Sequence, residues 1–342
     1  MSGDFPFEIT PYTKEEHETL RKIYTPERYR HNIHVGPSRY VLRVEYAHHA
    51  GNIYNMPLRS DDFVVLSFPR SGTTWTQEMV WLIANDLNFD KAKEVPLWKR
   101  YSSGIIERSA FLSQERIEQL KQQNAEDPVG AQIVNELMKP TYEVLANTKS
   151  PRFITTHLPI SLLPPALLDT CKTVYVARDP RDVAVSNYFL YKDNIQEIVK
   201  TTPFKDFFEL FEKDLWFRCP YFDHVKEAWS QRHHPNMLFI FYEDMSKDLK
   251  GTARRIADFF GKSYSEEQFD HLCDHLHFDN FKNNASIGID DNYCKFGDFQ
   301  KKNFVRRGKS GGWREYFDEQ LAAHAQQWID QNLRDTDLRF PQ

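Results

Sequence analysis

The 342-residue chain is predicted to form a single α/β domain with a central, mostly parallel sheet, a P-loop-like strand, loop and helix, and helices on both faces. Two observations support this prediction. Several short apolar runs rich in β-branched residues end on a polar turn that leads into a helix pattern, which is typical of a buried parallel sheet. No internal repeat, low-complexity tract or Gly/Ser-rich linker divides the chain, so one domain with insertions is the simplest organisation.

Strand and helix patterns alternate along the chain, which is typical of βαβ units. The predicted strands are Phe63–Phe68, Phe153–Thr156, Thr173–Ala177 and Leu238–Tyr242. The predicted helices are Thr73–Asn88, Pro180–Tyr191 and Ser246–Phe260. Gly261 should end the last of these, and Ser265 and Gln268 have the spacing of a capping box that opens one more helix. Ligand sites in such folds lie at the carboxyl ends of the strands.

The composition restricts the classes of partner. The formal net charge is −5, and lysines and arginines form no long basic runs, which argues against a general attraction to nucleic acid or to an anionic membrane. Any anion site must therefore be local. The first residues lack the pattern of a secretory leader, and no stretch reaches the roughly 18 apolar residues of a membrane span, so we expect a cytoplasmic protein. The four cysteines lack C-x-x-C spacing, which favours reduced thiols and no metal site.

A first anion site is predicted in VVLSFPRSGTTW, residues 64–75, where an apolar strand, a tight turn and a helix start follow one another. This order directs backbone N–H groups at a helix N-terminus, whose partial positive charge favours a phosphate. Thr73 stands in the place of the lysine of NTP-binding loops, and the cation lies upstream at Arg70. A nucleotide 5′-phosphate therefore fits better than a triphosphate with magnesium. The alternative is a plain strand-to-helix connection.

The segment PRSGTTW resembles the 5′-phosphosulfate loop of the cytosolic sulfotransferases, usually written PKSGTTW. The resemblance implies a P-loop-like α/β fold, 3′-phosphoadenosine-5′-phosphosulfate (PAPS) as cosubstrate, 3′,5′-ADP (PAP) as product, and no metal. It implies that Arg70 contacts the phosphosulfate and stabilises the leaving oxygen, and that Trp75 stacks on adenine. The 5′-phosphate would be held by Ser71, Gly72, Thr73 and Thr74. Arginine in place of the family's lysine keeps the positive charge but does not donate its proton freely.

A second anion site is predicted in VYVARDPRDVAVS, which again runs from strand to turn to helix. The segment resembles the family's 3′-phosphate motif, which assigns phosphate contacts to Arg178 and to Ser186, eight residues later. An ordinary ion pair of Arg178 with Asp179 or Asp182 is the alternative.

The segment RRGKSGGW, residues 306–313, is a glycine-rich cationic loop that could wrap a phosphate with backbone and side chains. It is similar to the family's closing RKGxxGDWK loop, which implies 3′-phosphate contacts from Arg306, Arg307 and Gly308. The resemblance also implies that Tyr242 and Phe278 lie beside the adenine, although either ring could be plain core packing. Two separated phosphate sites on one nucleotide distinguish PAPS from ATP.

Transfer to a hydroxyl group needs a base to take its proton and a cation to hold the leaving phosphate. Among the thirteen histidines, His157 follows a predicted strand in THLPISLLPP, at the edge of the sheet where ligands bind. It matches the family's KTHLP motif, whose histidine is the catalytic base. The lysine of that motif is Thr155 here, so Arg70 and helix N–H groups must neutralise more of the charge on the transferring group.

The resemblance covers about residues 64–313 of a sulfotransferase domain that we assign to 1–342. Residues 1–60 are expected to be an N-terminal extension packed on it, and residues 89–150 a helical insertion that covers the acceptor pocket as a lid. The long insertion and PRSGTTW itself resemble the retinol dehydratase branch, in which a sulfonated alcohol can eliminate to give net dehydration. The family's dimerisation motif, KxxxTVxxxE, is absent, so we expect a monomer or a homodimer of a different kind.

The sequence therefore predicts a cytosolic sulfotransferase of small-molecule metabolism or detoxification. It would move the sulfuryl group of PAPS to a hydroxyl of a phenol, a steroid or a retinoid-like alcohol, with His157 and Arg70 as catalytic residues. Neither nucleic acid nor membrane is an expected partner. Two other interpretations stay open, a P-loop nucleotide kinase, which lacks its Gly-Lys pair here, and a catalytically idle protein that binds a nucleotide or a hydrophobic molecule.

Overall fold

A computed structural model describes residues 4–21, 32–102, 104–111, 113–194, 202–287 and 307–341. Its strands are β1 (Ile9–Pro11), β2 (Asn32–Val35), β3 (Tyr40–Arg43), β4 (Phe63–Leu66), β5 (Phe153–Thr156), β6 (Lys172–Ala177) and β7 (Met237–Phe241). Strands β1, β2 and β3 form an antiparallel sheet, and the other four form a parallel sheet in the order β5-β4-β6-β7. The single α/β domain and its parallel sheet are thus confirmed.

The central sheet is buried on both faces. Val64 and Leu66 of β4 belong to one apolar cluster, whereas Val65 between them belongs to the other. Burial on both faces explains why these strands are continuous apolar runs in the sequence. All four predicted strands are confirmed, with ends that differ by at most two residues. Because the strands are parallel, their carboxyl ends meet at one edge, and the loops that follow β4, β5, β6 and β7 lie together there.

Helices cover the two faces and the ends of this sheet. Their bounds are Lys14–Leu20, Ala50–Tyr54, Thr73–Ala84, Phe89–Glu94, Leu97–Arg100, Gln114–Gln123, Pro128–Met138, Thr141–Asn147, Leu167–Thr170, Pro180–Asn194, Phe204–Glu212, Tyr221–Ser230, Tyr242–Lys247, Leu249–Phe259, Glu266–Leu276, Phe278–Asn283 and Glu319–Leu333. Short 3₁₀ turns are Val44–His48, Ile106–Phe111, Ile160–Leu162 and Gly312–Glu315. In the described ranges, no helix combines the length and the apolar character needed to cross a membrane.

The continuous helix predicted over Ser246–Phe260 is wrong. The chain instead forms Tyr242–Lys247 and Leu249–Phe259, which are separated by Asp248. The backbone of Asp248 is not helical, and its carboxylate accepts a hydrogen bond from the N–H of Gly251. An aspartate in this conformation satisfies a free N–H at the start of a helix, and this cap interrupts the predicted run.

Other predicted helix ends depend on local backbone geometry. The helix predicted over Thr73–Asn88 already ends at Ala84, because Asp86 and Leu87 have positive φ angles of 52° and 58°. Gly261 also has a positive φ of 67° and ends its helix as predicted. The capping box of Ser265 and Gln268 is confirmed by both of its hydrogen bonds.

The segments expected to be additions to the domain are tied to it by hydrogen bonds. Strand β3 of the N-terminal sheet exchanges backbone hydrogen bonds with the chain near Cys219, since Val41 donates to the carbonyl of Cys219 and accepts from Arg218. In the segment 89–150, the turn Ile106–Phe111 lies beside the helix Thr141–Asn147, and the hydroxyl of Thr141 donates to the carbonyl of Ile105 at 3.1 Å. Glu107 in this turn accepts hydrogen bonds from the hydroxyl of Thr156 and the backbone N–H of His157, which places the turn close to the end of β5.

Candidate active site

The loop after β4 has the geometry of a phosphate-binding turn. Gly72 precedes the helix Thr73–Ala84 with φ of 100°, and Arg70 has φ of 72°. A Cβ at Gly72 would lie 2.6 Å from a ring carbon of Tyr242, so only glycine fits both the backbone angle and the space. The first N–H groups of the helix have no partner within it and remain for a ligand or a side chain. The arrangement suits an anion at the helix N-terminus.

The loop also contains buried polar atoms that suit a phosphate. The hydroxyl of Ser71 is fully buried and makes no hydrogen bond within the described part of the chain. The same is true of Nε of Arg178. A buried hydroxyl and a buried guanidinium N–H without partners cost free energy unless a ligand completes them. The residues therefore fit the 5′- and 3′-phosphates of PAPS.

The structure brings the two anion motifs together. Nε of Arg70, from the loop after β4, donates to Oγ of Ser186 at 3.0 Å. The guanidinium of Arg178, at the end of β6, donates to the carbonyls of Arg70 at 3.3 Å and Lys309 at 2.9 Å. Residues that are far apart in sequence thus converge on one cationic region.

Arg178 makes a weak ion pair in addition to these contacts. Its nitrogen lies 3.7 Å from the carboxylate of Asp182, whereas Asp179 pairs with Arg181 at 2.6 Å. The carboxylate of Glu243 accepts the backbone N–H of Asp179 at 2.9 Å. Burial raises the pKa of Glu243 to about 7. Of the two ion pairs considered as alternatives for Arg178, only the one with Asp182 is present. This weak pair leaves most of the guanidinium for other contacts.

The glycine-rich loop near the C-terminus is fastened to the second anion motif. The carboxylate of Asp182 accepts the backbone N–H groups of Gly311 at 2.7 Å and Trp313 at 2.9 Å. Arg307 makes an exposed ion pair with Glu315, so its side chain does not join Arg178 in this structure. Arg306 lies outside the described residues. The backbone of the loop is thus held next to Arg178, while the guanidinium of Arg307 lies at the surface.

The three predicted adenine contacts lie beside the phosphate loop or the C-terminal loop. The rings of Trp75 and Tyr242 are 5.8 Å apart between centroids, and Nε1 of Trp75 donates to the carbonyl of Leu276 at 2.9 Å. Phe278 lies against Gly308, where an added Cβ would come 2.0 Å from its ring. Trp75 and Tyr242 therefore pack together beside the phosphate loop, and Phe278 packs against the C-terminal loop.

His157 follows β5 and is held against the loop after β4. Its Nδ1 lies 2.8 Å from the carbonyl oxygen of Ser67, which fixes Nδ1 as the protonated nitrogen of the neutral ring. Burial, and next the guanidinium of Arg218, lower the pKa of His157 to about 4. The imidazole is therefore neutral at physiological pH, and Nε2 carries a lone pair that can accept a proton.

A buried network that the sequence did not indicate surrounds His157. The carboxylate of Glu107 accepts the backbone N–H of His157 at 3.0 Å, the hydroxyl of Thr156 at 2.9 Å and the guanidinium of Arg218 at 2.5 Å. His224 Nε2 lies 3.1 Å from the carbonyl of His157. These residues come from separate elements without a shared motif, so only a structure could bring them to attention.

Thr155 is a buried residue of β5 in the central sheet. It pairs in register with Val65 of β4, is 1% exposed, and its hydroxyl makes no hydrogen bond within the described residues. The position that holds a lysine in the family motif is thus a buried strand position two residues before His157.

Comparison with known proteins agrees with this geometry. The sulfotransferase domain family matches residues 60–337. Luciferin sulfotransferase of Photinus pyralis is 31% identical over 309 residues, covering 87% of this chain and 79% of that protein. Sulfotransferase 1E1 of Bos taurus is 30% identical over 294 residues, covering 84% and 89%.

Comparison with solved structures shows a more specific similarity. A crystal structure of retinol dehydratase with androsterone and the inactive cofactor PAP is 44% identical, with a TM-score of 0.87 and coverage of 98% of this chain and 99% of that one. A second structure of retinol dehydratase, with retinol and PAP, matches equally well. With the parallel sheet and the phosphate loop described above, these findings show that the chain belongs to the PAPS-dependent sulfotransferase family, in its retinol dehydratase-like branch.

Proposed function

We propose that this enzyme transfers the sulfuryl group of PAPS to a hydroxyl of a small hydrophobic acceptor, with His157 as general base and Arg70 as the cationic partner of the leaving phosphate. The observation that carries the proposal is the hydrogen bond between Nδ1 of His157 and the carbonyl of Ser67. It joins the base directly to the loop that would hold the phosphosulfate. The proposed donor loop and the proposed base therefore lie together at one edge of the sheet.

The chemistry assigned to the chain's own residues follows from this arrangement. PAPS supplies the activated sulfuryl group when it is bound. Nε2 of the neutral His157 takes the proton of the acceptor hydroxyl as its oxygen becomes a nucleophile. The charge that develops on the leaving phosphate is stabilised by Arg70 and by the N–H groups at the start of the helix Thr73–Ala84. Anionic groups of the donor raise the pKa of a nearby imidazole, so the base becomes stronger in the complex than in the free enzyme.

The nucleotide site is proposed to consist of the residues implied by the family motifs. The 5′-phosphate is assigned to Ser71, Gly72, Thr73 and Thr74, and the adenine to Trp75, Tyr242 and Phe278. The 3′-phosphate is assigned to Arg178, Ser186, Arg306, Arg307 and Gly308. The buried, unpartnered atoms of Ser71 and Arg178 support these assignments. A nucleotide kinase has no such support, because Thr73, in the place of the P-loop lysine, shares a hydrogen bond with Ser67 at 2.7 Å.

The acceptor is proposed to be a phenol, a steroid or a retinoid-like alcohol. The support is the likeness to retinol dehydratase, whose crystal structures contain androsterone or retinol. Residues 89–150 are proposed to cover the acceptor, since their turn Ile106–Phe111 bonds to the residues at the end of β5. The product is either the sulfonate or, if it eliminates, the dehydrated alcohol. The enzyme is proposed to be cytoplasmic, to need no metal and to act as a monomer or an atypical homodimer.

Turnover with PAPS tests the proposal. The enzyme is incubated with PAPS and a panel of phenols, steroids and retinoids, and product mass distinguishes a sulfonate from loss of water. His157→Ala should lower turnover by a factor of about 10² to 10⁴ and leave the affinity for 3′,5′-ADP nearly unchanged. His233→Ala, at an exposed histidine, is the matched control. Full turnover by His157→Ala would remove this residue from the mechanism, and no turnover by wild type with any acceptor would favour an idle binding protein.

A further inference from the structure

Glu107 is a buried carboxylate with three partners at the candidate active site. It lies in the turn Ile106–Phe111, within the segment 89–150, and is 2% exposed. One oxygen accepts the backbone N–H of His157 and the guanidinium of Arg218, and the other accepts the hydroxyl of Thr156. Both oxygens therefore bond to residues at the end of β5. One of them also bonds to Arg218, whose positive charge balances that of Glu107.

These contacts complete a set of constraints on His157. Its backbone N–H is held by Glu107, its carbonyl oxygen by His224 and its Nδ1 by the carbonyl of Ser67. Within the described part of the chain, Nε2 makes no hydrogen bond. Every polar group of His157 except the one needed for proton transfer is thus fixed. A base held in this way reaches the acceptor with little conformational freedom to lose.

The charge of Glu107 is balanced by Arg218. The guanidinium of Arg218 is 4% exposed and lies 5.3 Å from the ring centroid of Phe111 and 5.0 Å from that of Phe217. Burial alone would raise the pKa of Glu107, yet Arg218 and His157 hold it below its usual range, so the carboxylate is ionised. A buried ion pair of this kind adds little stability over apolar residues of the same volume, because both charges lose their hydration. Its presence beside the base therefore calls for a role in the site.

We propose that Glu107 is a positioning residue for the transfer reaction: it fixes the backbone of His157 and makes the placement of the base depend on the segment 89–150. The inference rests on the proposed role of His157. When the turn Ile106–Phe111 is in place, the backbone N–H of His157 has its acceptor and the imidazole is aligned. When the turn is displaced, the N–H and Arg218 lose their shared partner. The segment that would cover the acceptor thereby also aligns the imidazole of His157.

Two substitutions distinguish a positioning role of Glu107 from a role in packing alone. Glu107→Gln keeps an acceptor for His157 and can still bond to Thr156, but it removes the charge. Glu107→Ala removes both the hydrogen bonds and the charge. We expect Glu107→Ala to lower kcat on the order of 10²-fold, as a misplaced catalytic group does, and Glu107→Gln to retain most of kcat at neutral pH. The affinity for 3′,5′-ADP should change in neither, since Glu107 does not contact the nucleotide residues.

The matched control is a second buried ion pair at the opposite end of the same strand. Asp62, immediately before β4, and Arg152, immediately before β5, pair at 2.5 Å and are both 1% exposed. Asp62→Ala should lower the stability as Glu107→Ala does but leave kcat per folded molecule unchanged. A Glu107→Ala variant that behaves like Asp62→Ala, with kcat retained in the folded fraction, would overturn the positioning role.

The pH profile of kcat/KM gives a readout that packing does not affect. The carboxylate of Glu107 raises the pKa of His157, and the guanidinium of Arg218 lowers it. The acidic limb should therefore move to lower pH in Glu107→Gln and return to higher pH in Glu107→Gln with Arg218→Met, in which both charges are gone. Identical limbs in the two variants would contradict the proposal. If His157→Ala keeps its turnover, the base assignment itself fails; if His157→Ala is inactive and only the Glu107 outcomes fail, the positioning role alone is wrong.

Discussion

The guanidinium carbon of Arg178 lies 4.1 Å from the centroid of the Tyr242 ring. Arg178 comes from the end of β6 and Tyr242 follows β7, so the contact links the carboxyl ends of two neighbouring strands. A stacked arginine keeps its charge and its N–H fork available in the ring plane while the face is covered. The same Tyr242 ring occupies the space beside Gly72 in the phosphate loop. The Tyr242 ring thus packs against both predicted anion motifs.

Arg178→Ala should weaken the binding of 3′,5′-ADP by about 1.5–3 kcal/mol, because it removes the proposed charge-assisted contact to the 3′-phosphate. Arg306→Ala should have a similar effect. Calorimetric titration with 3′,5′-ADP and with 5′-AMP measures it, and Arg232→Ala, which removes a surface arginine paired with Asp337, is the control. The variants should distinguish the two nucleotides less well than wild type. If loss of the 3′-phosphate weakens binding equally in wild type and variants, neither arginine contacts it.

Gly308→Ala should weaken nucleotide binding by displacing the loop of residues 307–312. Gly308 has φ of 63°, and an added Cβ would lie 2.0 Å from the ring of Phe278. Gly261→Ala is a matched control, since its φ is 67° but no atom lies within 4 Å of its Cβ position. Both variants carry the strain of a positive φ, about 1–2 kcal/mol, and only Gly308→Ala should change the affinity for 3′,5′-ADP. Equal affinities in the two variants would show that the loop does not form part of the nucleotide site.

Thr155→Lys should alter the ratio of alcohol to phenol turnover more than it alters nucleotide affinity. An aliphatic alcohol has a far higher pKa than a phenol, so its transfer depends more on the charge near the reacting oxygen. The new ammonium starts from a position that is 1% exposed, so the variant should also lose stability unless the side chain reaches the polar edge of the sheet. Thr155→Met, with a long uncharged side chain, is the control. An unchanged ratio together with altered PAPS binding would assign position 155 to the donor site.

His224→Gln should make the protein less sensitive to acid. His224 accepts from the hydroxyl of Tyr175 and faces the carbonyl of His157, bonds that a glutamine can mimic. Burial lowers the pKa of His224 to about 3, so below the usual value of 6.5 the unfolded chain binds a proton that the folded protein does not. Wild type therefore loses about 1.4 kcal/mol per pH unit at this site below pH 6.5, and the variant does not.

Urea unfolding at pH 7.5 and pH 5 measures this difference. The free energy of unfolding of His224→Gln relative to wild type should rise as the pH falls. His233→Gln, at an exposed histidine, should show no such trend. A constant difference between wild type and His224→Gln at the two pH values would show that His224 is protonated in the folded protein.

The sequence by itself determined the elements that depend on neighbouring residues. The four strands of the central sheet, the phosphate loop with Arg70 and Gly72, and the capping box at Ser265 all result from short-range patterns of burial, backbone angle and hydrogen bonding. Such patterns also placed His157 at the end of a strand, and with it the edge of the sheet where the site lies. The helix break at Asp248 was missed because a cap and a helix interior differ by one side-chain contact.

Only the tertiary structure decided which residues support the candidate base. Glu107 and His157 are 50 positions apart, and Arg218 and Glu107 are 111 apart. The hydrogen bond from the C-terminal loop to Asp182 likewise joins residues that are more than a hundred positions apart. None of these pairs has a spacing that a helix or strand period requires, because their contact depends on the path of the whole chain around the sheet. The sequence could therefore indicate the candidate base and the candidate phosphate loop, whereas the buried charges beside them follow from the packing of distant segments.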